Sequence, residues 1–157
     1  MCTSVFVGSS APFNLGPPPT GTNVAPASTE IIPQALRDCK FVAVLRDWRE
    51  QYVYCSCVFI EESLPWEPKQ ESEETVSAFA VLKKLAEEHG SNLKVFGCDD
   101  TDVGLLPNVH CIAAPKHLHA GGIWFNIPFN GGEPPRILIK IDPDLENPVK
   151  PETLDVP

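Results

Sequence analysis

A chain of 157 residues with a formal net charge of −9 fits one domain, and that length buries on the order of 70% of the surface the unfolded chain would expose. Its 12 basic residues are scattered singly or in pairs such as Lys83-Lys84, so the basic stripe that displaces counterions from phosphate is missing and nucleic acid is not expected as a partner. No stretch approaches the roughly 20 apolar residues that cross a bilayer, residues 1–10 lack the n-region and long apolar run of a secretory signal, and six cysteines are too sparse for a small secreted scaffold; these features predict a cytoplasmic protein with reduced thiols and no membrane contact.

In chain order, residues 3–7 read as a short strand. Residues 9–33 carry Pro12, Pro17, Pro18, Pro19, Pro26 and Pro33, a composition that propagates neither helix nor central strand and predicts an extended arm or wrapping loop. A turn of helix is expected near residues 31–36. The run Phe41-Val42-Ala43-Val44-Leu45 is apolar on both faces, which suits a strand covered on both sides in the middle of a sheet.

Residues 52–60 have the composition of a buried strand and hold the doublet Cys55-Ser56-Cys57. Side chains alternate along a strand, so the two thiols would share one face about 6.5 to 7 Å apart. That is at or beyond the Cα separation of ordinary disulfides, roughly 4.4 to 6.8 Å, whereas two thiolates can converge on one soft metal ion. A polar, proline-broken loop follows, and then a helix over residues 72–89. Ser72 caps it, Glu73 and Glu74 complement its positive first turn, and Gly90 stops it. Val76, Phe79, Leu82 and Leu85, with Ala80 and Ala86 beside them, predict one apolar stripe packed on the sheet. With a strand at 93–97, the order strand, helix, strand predicts a crossover unit with a parallel pair.

Beyond a polar loop at 99–107, residues 109–113 read as a strand. Residues 123–127 and 137–141 are apolar runs separated by a segment containing Asn130-Gly131-Gly132, which predicts an antiparallel pair. Residues 142–157 are rich in proline and poor in apolar side chains, as in a tail along the surface or a mobile one. The fold expected is a single α+β domain over residues 1–141. It has a mixed sheet of five to seven strands, one main helix on one face, and the proline-rich arm 9–33 wrapping the other.

Three stretches carry a resemblance. They are the start Met1-Cys2 leading into a strand, Cys55-Ser56-Cys57-Val58-Phe59 before an acidic loop and helix, and Lys94-Val95-Phe96-Gly97-Cys98-Asp99-Asp100-Thr101-Asp102. Together they resemble a family of small uncharacterised bacterial proteins over residues 2–141. In that pattern glycine follows each of the paired cysteines, and tryptophan stands between the later cysteine and its first aspartate. Here Ser56, Val58, Asp99 and Thr101 occupy the variable places. The resemblance implies a shared fold and no established function.

Two constellations offer chemistry. Zinc favours four thiolate or imidazole ligands, and Cys55 and Cys57 supply two that Cys98, His110, Cys111, His117 or His119 would complete. The pair His117 and His119 repeats the single-residue spacing of the cysteines, while structural zinc knuckles space their ligands more widely. The cysteines read equally as small core residues or as reactive thiols. The second constellation is Asp99, Asp100 and Asp102, placed after a strand end where an open sheet forms a natural site edge. Those carboxylates suit a hard cation, a solvated turn, or an acidic rim to a pocket beside Cys98. They also raise a neighbouring thiol's pKa, which argues against Cys98 as a nucleophile. The function expected is a small acidic, non-catalytic binding or interaction module for a basic protein partner or a second copy. The alternative is a zinc-binding or thiol-redox protein centred on Cys55 and Cys57.

Overall fold

Runs that alternate with a period of two and stay apolar over five to seven residues cover two faces at once, and in the computed structural model such runs form the sheet. The structure describes residues 3–14, 22–26, 31–47, 56, 59, 73–119 and 135–149. Its elements are β1 (Thr3–Ser9), β2 (Thr22–Pro26), β3 (Phe41–Asp47), α1 (Glu73–His89), β4 (Lys94–Asp99), β5 (Val109–Ala113) and β6 (Ile137–Ile141). The strands make one six-stranded sheet in the order β2-β3-β1-β4-β6-β5. Every neighbouring pair is antiparallel except β5 with β6, so the sheet is mixed and the class is α+β.

The 17 residues of α1 cover one face. Val5, Val7, Leu45, Val95, Val109 and Ile139 from the sheet meet Ala78, Phe79, Leu82, Leu85 and Ala86 from the helix. On the other face Phe6, Val44, Phe96, Cys98 and Leu138 lie under Leu36, which a 3-10 turn, Gln34–Leu36, holds in place with Ala35 and Cys39 beside it. That turn comes close only because residue 8 has no side chain: a Cβ on Gly8 would stand 2.6 Å from Cys39 Sγ and 2.9 Å from Cys39 Cβ. Among the described residues no helix is long and apolar enough to cross a membrane.

Several expectations change. The proline-rich arm contributes β2, an edge strand on β3 that ends at Pro26, because proline is tolerated where one side of the strand needs no ladder bond. The face opposite the helix is covered by Ala35, Leu36 and Cys39, which follow the arm, whereas Phe13, within the arm, packs on the helix side, its ring 4.8 Å from that of His89. With β2 outside it, β3 is second from the edge, and β1 and β4 hold the centre.

Residues 52–60 are not a regular strand at their described positions. The Phe59 N–H donates to Ser56 O at 3.0 Å, a tight turn, and turns the Phe59 ring edge-on against Phe79 at 5.2 Å. The crossover through α1 therefore starts from β3. β3 and β4 both run antiparallel to β1, so they are parallel to each other with β1 between them.

The helix ends as expected, with Gly90 at φ 57°. Its buried stripe differs: Val76 is 48% exposed, and Ala80 is exposed too. A helix turns about 100° per residue, so a strict spacing of three drifts, and Val76 lies half a turn away from Leu85. Ala78, Phe79, Leu82, Leu85 and Ala86, spaced by three and four, make the real stripe.

The antiparallel partner expected for β6 at residues 123–127 lies outside the described residues. Both edges of β6 are already occupied, by β4 over Ile137 to Lys140 and by β5 over Ile137 to Ile141. Residues 142–149 run back along the outer side of β5, where Ile112 and Val149 form an antiparallel bridge.

Candidate functional site

β1 and β3 pair from Val5 opposite Leu45 onward, and at that end Ser56 inserts between them. Its N–H donates to Thr3 O at 2.8 Å, its hydroxyl donates to Leu45 O, and its Oγ accepts the Val5 N–H at 2.9 Å. Ser56 is fully buried, so this one hydroxyl satisfies a donor and an acceptor that water cannot reach. Cys55 and Cys57, which flank it, lie outside the described residues.

Cys98 and Cys111 are both buried, on opposite faces of the sheet. Cys98 belongs to the layer with Phe6, Phe96 and Leu36, and Cys111 to the helix side. Burial pushes the Cys111 thiol up to about 11. At half-buried Cys39 the thiol is raised first by burial and then by the neighbouring Asp38 carboxylate. Both shifts oppose thiolate formation at neutral pH.

The acidic segment after β4 is a structured turn. Asp99 Oδ1 accepts the N–H and the hydroxyl of Thr101, each at 3.1 Å, and caps the 3-10 turn Asp100–Asp102. The Leu105 N–H then closes on Asp102 O at 2.9 Å. Arg136, buried at the start of β6, holds the far side of the loop: its Nε donates to Leu106 O at 2.6 Å, and its backbone N–H donates to Asn108 Oδ1 at 2.7 Å. The peptide thus fixed presents Leu105 and Leu106 to water, 49% and 60% exposed.

The histidines are separated by their roles. His110 projects into solvent from β5. His117 ends a 3-10 turn, Pro115–His117, and uses both ring nitrogens. Nδ1 accepts the Ala114 N–H at 2.9 Å, and Nε2 donates to Glu146 O at 3.0 Å. That pattern defines the Nε2–H tautomer, and a metal at His117 would have to displace one of these bonds. His119 is exposed, and its N–H donates to His117 O at 3.1 Å. Among the described residues no three His, Cys, Asp or Glu side chains come together around a point that would hold a metal ion.

His117 is therefore a clasp. With Lys116, whose Nζ lies 3.3 Å from Glu146 Oε2, it fastens residues 142–149 to the end of β5. A second arrangement of this kind is the hydrogen bond between Ser9 Oγ and His89 Nδ1 at 2.9 Å, where Ser9 Oγ also accepts the Ala11 N–H at 3.1 Å. Neither was visible in the sequence, since the partners are 29 and 80 residues apart and no local spacing marks them. Ser56 has no local marker either, since a serine between two cysteines gives no sign in the sequence that it joins two distant strands.

Comparison of the chain with protein-family models, curated proteins and solved structures found no match.

Proposed function

We propose that the protein is a non-catalytic binding module of the cytoplasm that engages a protein partner through the β5 side of its sheet. One observation carries the reading. Of the large apolar side chains left exposed among the described residues, all but Val76 belong to β5, the loop leading into it or the strap beyond it: Leu105, Leu106, Ile112 and Val149. Exposed apolar groups held on ordered backbone mark interaction surfaces, because a rigid site loses little conformational entropy on binding. The carboxylates of Asp99 and Asp102 border the same loop and favour a partner with basic groups around an apolar contact, in keeping with the net charge of −9.

The test is photo-crosslinking in the cell from a benzophenone side chain at position 106. A discrete adduct is expected, lost when Leu105 is replaced by Asp, and not formed from position 83 on the exposed side of α1. Equal, diffuse labelling from both positions would remove the reading. Zinc binding or thiol redox chemistry at Cys55 and Cys57 is the second proposal, and elemental analysis of native protein separates the two, since stoichiometric zinc would favour the second.

A further inference from the structure

An edge strand offers a row of backbone donors and acceptors, and β5 is the last strand of the sheet. Its residues alternate in direction. Those that bond to β6 point inward, and Ile112 points outward, exchanging both backbone bonds with Val149: Ile112 N–H to Val149 O at 3.2 Å, and Val149 N–H to Ile112 O at 2.9 Å. By the same alternation His110, two residues earlier, turns its N–H and C=O to the outer edge, and among the described residues nothing pairs with them. The edge thus accepts an antiparallel strand, and among the described residues one pair, Ile112 with Val149, occupies it.

What fills it is held by polar bonds at the other end of the strap. The strap leaves β6 through a turn in which the Leu145 N–H closes on Asp142 O at 3.2 Å. It is then fixed by the His117 bond to Glu146 O and the Lys116 ion pair with Glu146, both at exposed positions. The apolar pair at the bridge stays largely in water, Ile112 at 38% and Val149 at 50% exposure. Exposed ion pairs and single hydrogen bonds each contribute about 1 kcal/mol or less, so the strap is a weak competitor for its own edge.

We propose that the outer edge of β5 is a strand-addition site, covered in the resting molecule by residues 142–149. Its ligand is an extended peptide segment running antiparallel to β5, with an aliphatic side chain opposite Ile112 and a carboxylate within reach of Lys116. The occupant's chemistry is read from the strap, which shows in cis what the edge selects: main-chain bonds supply the attraction, and the two side chains set the register. A partner segment that pairs with His110 as well as Ile112 makes ladder bonds that residues 142–149 do not make, and so competes with them for the edge. This rests on the β5 side being the binding surface, but it can fail alone.

The test uses the full-length chain and a fluorescent peptide of residues 142–149, followed by anisotropy. Two strap variants leave the edge itself untouched: Val149→Pro removes the N–H given to Ile112 O, and Glu146→Lys turns the ion pair with Lys116 into repulsion. Each is expected to bind the peptide up to about 5-fold more tightly than the wild-type chain, because each removes one strap contact of about 1 kcal/mol, at roughly 1.4 kcal/mol per factor of ten. A peptide carrying Val149→Pro should lose that gain. Binding no tighter than wild type by either variant, with circular dichroism unchanged, would overturn the proposal, as would equal binding of the proline peptide. A position-106 adduct that persists in that case leaves the broader binding reading standing.

Discussion

The centre of the sheet and its β5 end are built on opposite principles. At β1 and β4 the apolar side chains are fully buried on both faces, with Val5, Phe6, Val95 and Phe96 inaccessible, and the polar insertion there, Ser56, has its hydroxyl satisfied by both neighbouring strands. At β5 the apolar groups Leu105, Leu106, Ile112 and Val149 stay in water, and the backbone around them is held by Arg136, His117 and Lys116. Burial makes the centre cooperative. Exposed polar clasps fasten the β5 side locally, and each opens at small cost.

The contrast breaks most visibly in the helix-covered core. Leu82→Ala should cost roughly 2 to 5 kcal/mol in urea denaturation, whereas Val76→Ala, on the same helix, should shift stability by less than about 0.5 kcal/mol. Equal effects would mean that α1 is rotated from the orientation described. Next comes Ser56→Ala, which leaves the Val5 N–H and the Leu45 carbonyl buried and unpaired, at about 1 to 3 kcal/mol per group. Ser56→Thr keeps the hydroxyl, so a loss as large as that of alanine would assign the cost to packing instead of the hydrogen bonds.

Gly8→Ala sharpens the comparison on the other face. The new Cβ meets Cys39, and overpacking of this kind costs about 1 to 3 kcal/mol. Adding Cys39→Ala should recover part of it by removing the nearest atom, Sγ, and a double variant no better than the single one would place the strain elsewhere.

The smallest effect lies at an exposed pair. Lys94 Nζ is 2.6 Å from Asp38 Oδ2, a bond that lowers the Asp38 carboxyl below the usual carboxylate range and raises Lys94 above that of an ordinary lysine. The Asp38 contribution is present above its unfolded pKa and lost as pH falls through the lowered folded value. The Lys94 contribution is present below its unfolded pKa and lost as pH rises through the raised one. Solvent screening keeps the pair under about 1 kcal/mol. Asp38→Asn should flatten both arms of the stability profile by that amount, and 1 M salt should reduce the difference between variant and wild type.

Much of the fold was legible in single elements. The runs at 3–7, 41–45, 93–97, 109–113 and 137–141 all lie within or against strands, because five or more consecutive apolar or alternating residues can be buried only in such a layer. Capping chemistry read the helix end correctly at Gly90. The misreadings share one cause, which is that the position of an element is set by its neighbours. β2 went unread because Thr22–Pro26 has no apolar run and needs only the outer side of β3 to bond to. The residue 52–60 run looked like a strand by composition, but Ser56 is used to join two other strands and Phe59 turns back on it. β6 looked like half of a hairpin, although the strands that flank it come from residues 94–99 and 109–113.

At the candidate sites the sequence supplied residue types without their distances. Alternation, helix period and cap residues are local, so the α+β class, the helix limits and most strands follow from the order of side chains alone. Whether a thiol meets an imidazole, or a histidine keeps a free nitrogen, depends on which segments the sheet order brings together. That order parts Cys98 from Cys111 by the thickness of the sheet and closes both nitrogens of His117 on backbone groups. The apolar groups left exposed along β5 were likewise decided by tertiary structure, because a strand at an edge has a neighbour on one side only, and no local pattern tells an edge strand from an inner one.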